Sequence, residues 1–150
     1  MSRNRLIRFA AAAVAAAALA GPLPVAGAES RAVPYPFPTG PFVVDGLCPF
    51  PVQLTFSGKG GELELPGGRL IAIAPGLTTT YANALDPSKS VTYTVTGTLT
   101  FSEDSDVVIA NGRNVLATAD GLVLFVGHFT IDGDSVTGTG QQTAICPLIA

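Results

Sequence analysis

An all-β fold is what this sequence predicts: an antiparallel up-and-down meander of about eight strands, closed or nearly closed into a barrel. Three observations lead there. Apolar and polar residues alternate with a period of two, most clearly in "SVTYTVTGTLTF" (Ser90 to Phe101). Glycine- and proline-rich turn signals separate the patterned stretches. The two cysteines, Cys48 and Cys146, flank the patterned region, one just before its first strand and one just after its last. A β-sandwich with adjacent terminal strands is the alternative.

Residues 1–28 stand apart from that fold. Arg3, Arg5 and Arg8 precede the uncharged run "FAAAAVAAAALA" (Phe9 to Ala20), and "GPLPVAGA" ends in Ala26-Gly27-Ala28. A basic flank, a short apolar run and a small-x-small exit read as a secretory signal peptide cleaved after Ala28. The apolar run is shorter than the roughly 20 residues a membrane-spanning helix needs. The expected location is therefore extracellular, with no membrane span.

Residues 29–46 form a proline-rich leader, with Pro34, Pro36, Pro38 and Pro41 favouring extended structure. The leader either serves as a spacer or docks through Tyr35, Phe37 and Phe42. Residues 47–150 form a single all-β domain. Its first strands are short: "VQLTFS", "ELEL", "RLIAIA" and "TTTYAN", punctuated by "GKGG", "PGG" and "PGL". In Ser90 to Phe101, Val91, Tyr93, Val95, Leu99 and Phe101 share the inner face, and five threonines share the other. Gly97 interrupts the inner face, as glycines do at bends and barrel corners. "DVVIANGRNVLATA" is read as one long strand with a bulge at its glycine, rather than a hairpin at Asn111-Gly112. "GLVLFVGHFTID" (Gly121 to Asp132) follows, then a turn at Asp132-Gly133-Asp134, then "SVTGTGQQTAI" running back.

A secretory chain matures in an oxidising space, so Cys48 and Cys146 are expected to be bonded. The bond requires the start of the first strand to lie beside the end of the last. Its role is structural, pinning the seam.

Charge excludes some functions. Of the eight basic residues, three fall in the signal peptide, and the five that remain face eleven acidic ones, a net charge of −6. Such a chain, with no basic cluster, suits neither nucleic acid nor an anionic membrane. Chemistry is sparse. His128 is the only histidine, and alternation places it on the Leu124–Val126 face. No G-x-S-x-G occurs. The acidic clusters "SEDSD" and "DGDS" do not fit the twelve-residue calcium loop and read as solvated turns. No cofactor, metal site or catalytic residue is expected. Tyr81 and Tyr93 are the polar handles an interior cavity would offer.

"PFPVQLTFSGKGGELELPGGRLIAIAPGL", "VTGTLTF", "GRNVLA" and "GLVLFVGHFTID" resemble a group of small secreted all-β proteins of high-GC Gram-positive bacteria. The resemblance covers about residues 46–149 and is carried by the C-x-F-P-V, "LPGGR" and "GRN" segments. It implies secretion and an all-β body. The group has no known activity, so it implies no functional residues.

Two functions are open to such a chain. One is a non-catalytic extracellular module that binds a protein or a small apolar ligand. The other is an extracellular enzyme using Asp120 or Asp132 with His128. The few ionisable residues favour the first.

Overall fold

The alternating stretches form strands, but single runs of the pattern pass from one sheet into another, which the pattern alone does not predict. The computed structural model describes residues 33–65, 68–102 and 105–150. The expected signal peptide, residues 1–28, lies outside the described residues. Eleven strands follow in chain order. They are β1 (Val33–Pro36), β2 (Phe42–Val44), β3 (Val52–Ser57), β4 (Lys59–Leu65), β5 (Arg69–Ile73) and β6 (Leu77–Asn83). Then come β7 (Asp86–Val95), β8 (Thr98–Ser102), β9 (Ser105–Thr118), β10 (Gly121–Asp132) and β11 (Ser135–Ala144). A short 3-10 turn, Cys146–Leu148, follows. The proline-rich stretch thus carries β1 and β2.

All pairings are antiparallel, in a seven-stranded sheet β1-β4-β5-β8-β9-β10-β11 and a four-stranded sheet β2-β3-β6-β7. The chain alternates between the sheets within single long runs: β3 leads into β4 through Gly58, β5 into β6 through Ala74–Gly76, and β7 into β8 through Thr96–Gly97. At each crossing the register slips by one residue. Gly61 pairs with Ile73 in the larger sheet, yet Ser57 pairs with Thr78, not Leu77, in the smaller. Such a slip bends a strand and sharpens its twist.

The closed or nearly closed barrel of about eight strands is therefore corrected. Neither sheet closes on itself: their edges are β1 and β11, and β2 and β7. The arrangement is sandwich-like, as in the alternative. The physical reason lies at Gly97. A side chain there would overlap the Asn114 amide and the Asn111 carbonyl. Thr96 and Gly97 both donate their backbone N–H to the Arg113 carbonyl, at 3.2 and 3.0 Å. The chain is thus pinned on β9 at one point and crosses into the other sheet, so "SVTYTVTGTLTF" becomes two strands. The stretch after it is one strand, β9, of 14 residues. Its ladder with β10 runs without a slip through Gly112, so the expected bulge is absent from that ladder.

Two hydrophobic clusters hold the fold. The first joins the sheets: Val52 and Tyr81 from the smaller sheet meet Leu122 and Leu124 of β10, with Ile145 and Ile149 beyond β11. The second lies on the opposite face of β10 and comprises Val108, Ala110, Val123, Phe125, Phe129 and Ile131. "LVLF" (Leu122 to Phe125) is therefore buried on both faces. Beyond Gly127 the alternation returns, with His128 exposed, Phe129 buried and Asp132 exposed. The inner face predicted for Ser90 to Phe101 is divided as well. Val91 and Tyr93 pack on the first cluster, Leu99 and Phe101 on the second.

Candidate functional site

The disulfide is present. Cys48, in the β2–β3 connection, is bonded to Cys146, with Cα atoms 5.5 Å apart. The bond joins the start of β3 to the end of β11, two strands in different sheets. Around it the terminal segment is well held. Ile145 donates its N–H to Leu122 at 2.8 Å, and Lys89 Nζ donates to the Ala150 carbonyl at 2.9 Å.

The ionisable groups considered for catalysis do not converge. His128 is exposed on β10, its Nδ1 in hydrogen-bond contact with Asn111 Oδ1. Asp120 lies in the turn before β10 and Asp132 at its far end. At a rise of about 3.3 Å per residue, His128 is roughly 26 Å along the strand from Asp120 and about 13 Å from Asp132. Neither carboxylate is in proton-transfer reach. Among the described residues, no three His, Cys, Asp or Glu side chains gather as metal ligands. Glu103 and Asp104 of "SEDSD" lie outside the described residues. Tyr81 is buried with its ring 6.5 Å from that of Tyr93. Burial pushes the Tyr81 phenol well above its ordinary range, so it stays neutral in the first cluster.

A cleft of about 290 Å³ opens beside the β4–β5 turn, lined by Leu70 and Phe101 with Glu64, Arg69 and Ser102 around them. Leu70 and Phe101 are cross-strand partners on β5 and β8. Glu64 stands opposite Leu70 on β4, so a carboxylate and a guanidinium both border an apolar floor. Sequence reasoning missed these residues because their proximity comes from pairing between strands distant in sequence.

The sheet edges differ sharply. An unpaired edge offers free N–H and C=O groups to other chains, and proteins block it with proline, charge or shortness. β1 carries Pro34 and Pro36. β2 has three residues and follows Pro41. β7 carries Asp86, Pro87 and Lys89. β11, "SVTGTGQQTA", has ten residues with no charge and no proline, and among the described strands it pairs with β10 alone. Every residue of it except Val136 is exposed. Thr137, Thr139, Gln141 and Thr143 project from one face and Val136 and Gln142 from the other. Gly138 and Gly140 sit so close to β10 that side chains there would overlap the His128 and Val126 carbonyls. Sequence reasoning missed this edge as well. Its signal was the uncharged, proline-free composition of the last strand, but a closing barrel would have covered that edge. No family model, curated protein or solved structure matches the chain.

Proposed function

We propose that this chain is a secreted, non-catalytic interaction module that binds extended polypeptide by strand addition along β11. The observation that carries the reading is the contrast among the edges of the described strands: β1 and β7 carry proline or charge and β2 is three residues long, whereas β11 runs ten residues with neither charge nor proline. Strand addition takes affinity from backbone hydrogen bonds and specificity from alternate side chains. The wide separation of His128 from Asp120 and Asp132 supports a role without catalysis. Kinship with the small secreted proteins that share the C-x-F-P-V, "LPGGR" and "GRN" segments belongs to the same proposal. The test is selection of displayed ten-residue peptides on the immobilised, oxidised protein. Extended peptides should be recovered, and Thr139→Lys, which alters one cross-strand pair, should weaken their binding by up to about fivefold. Recovery of none, or binding indifferent to Thr139→Lys, would overturn the reading.

The cleft at Leu70 and Phe101 favours a second reading, a site for a small apolar ligand. Its volume of about 290 Å³ is near the lower end of ligand sites, roughly 300–1,000 Å³. An apolar dye should then bind saturably at one site, and Leu70→Trp should prevent it. Unsaturable binding would remove this reading.

A further inference from the structure

Resting on the strand-addition reading, we infer that the polypeptide received by β11 is β11 of a second copy of this chain, paired antiparallel about a two-fold axis through Thr139. A two-fold perpendicular to the sheet keeps each face on the same side. Odd residues of one strand therefore meet odd residues of the other, and even meet even. Centring on Thr139 places Gly138 opposite Gly140 of the second copy, so the two positions without side chains meet each other. It sets Thr137 opposite Gln141, Ser135 opposite Thr143, and Val136 opposite Gln142. Each is a pair of uncharged side chains able to form cross-strand contacts. Asp134, just before the strand, falls opposite Ala144, so no carboxylate meets another.

Charge argues for this edge as the place where two copies can meet. Without residues 1–28 the chain carries five basic and eleven acidic residues. Two such acidic molecules repel over most of their surfaces. β11 is a ten-residue strand without charge, where two copies can approach most easily. The contact would join two seven-stranded sheets into one continuous sheet, an isologous interface of the kind closed dimers use. One strand edge covers less than the roughly 1,600 Å² of a standard interface. The association is therefore weak, with a dissociation constant on the order of micromolar to millimolar.

Sedimentation velocity on the oxidised protein, up to about 1 mM, reads the state directly. A reversible monomer–dimer equilibrium is expected. Two double variants then test the register. Thr137→Lys with Gln141→Lys sets lysine against lysine twice and should raise the dissociation constant. Thr137→Lys with Gln141→Glu sets lysine against glutamate twice and should lower it. Two cross-strand pairs amount to roughly a two- to thirtyfold change in either direction. Equal effects of the two variants would overturn the pairing. Amide exchange on the unmodified protein covers the case in which a variant fails to fold. β11 amides should slow with protein concentration while those of β7 do not, and concentration-independent β11 exchange would overturn the inference. A monomer throughout, whose edge still captures extended peptides, overturns self-pairing alone. A monomer that captures none overturns the strand-addition reading as well.

Discussion

Truncating Leu124 and Phe125 separately tests whether β10 is covered on both faces. The two are sequence neighbours, so their side chains point to opposite sides of the sheet. In a strand wet on one face, one of the two would be cheap to shorten. Here Leu124 is 6% exposed and Phe125 0%, and each belongs to a different cluster. Leu124→Ala removes three carbon groups, about 2.4 kcal/mol at about 0.8 kcal/mol each. The cavity left behind brings the expected cost to about 2–5 kcal/mol, and Phe125→Ala to about 3–5 kcal/mol. Equilibrium urea unfolding of the oxidised protein measures both. The chain has no tryptophan, so far-ultraviolet circular dichroism is the natural probe. At an m value of roughly 1.5 kcal/mol per molar, a loss of about 3 kcal/mol moves the midpoint by about 2 M. His128→Ala, exposed on the same strand, should stay within about 1 kcal/mol. If either buried truncation also stays within about 1 kcal/mol, the double covering is wrong.

Cys146→Ser should cost about 4–5 kcal/mol by chain entropy, given the separation of 98 residues; uptake of two alkylating groups by denatured, unreduced protein would refute the bond. Gly127→Ala should cost at least about 1–3 kcal/mol in thermal melts, because φ there is +148° and a Cβ would strike the Thr139 carbonyl. A neutral result would refute the close approach of β10 and β11. Burial, then the Glu62 charge, push the Tyr35 phenol up to about 12 from 10. Its neutral form is thus favoured in the fold: the stabilisation is full below about pH 10 and is lost as pH rises towards 12. Ultraviolet titration should show two of the three tyrosines late, Tyr35 and the more deeply buried Tyr81, and Glu62→Gln should bring the earlier of the two down; no change would refute the contact. Secreted protein should begin at Glu29 by N-terminal sequencing, and an intact Met1 in the medium would refute the processing site.

Strand positions were legible wherever one face is wet. Thr92, Thr94 and Thr96 are exposed and Val91, Tyr93 and Val95 half-buried, as alternation requires. The number of strands and the closure were not legible. A period of two says which face a residue takes, but not which sheet holds that face. Gly97 marked a corner, yet whether that corner closed a barrel or parted two sheets depended on Asn111, Arg113 and Asn114, contacts made only in three dimensions. The disulfide was legible because both cysteines sit at the ends of the pattern. The open edge was not, because an edge is defined by the strand that is missing.

The Cys48–Cys146 bond has a topological consequence. It closes a covalent ring of chain from residue 48 to residue 146, and β3 through β11 all lie within it. β1 and β2 lie outside. They are held by short ladders to β4 and β3 and by the rings of Phe37 and Phe42 against Phe56. A single protease nick within the ring, at the Gly133 turn for example, leaves one connected mass until reductant is added. A nick at Asp45–Leu47 frees everything before it as a separate peptide. Loss of that peptide would uncover β4 and β3, turning two protected edges into open ones while the ring stays intact.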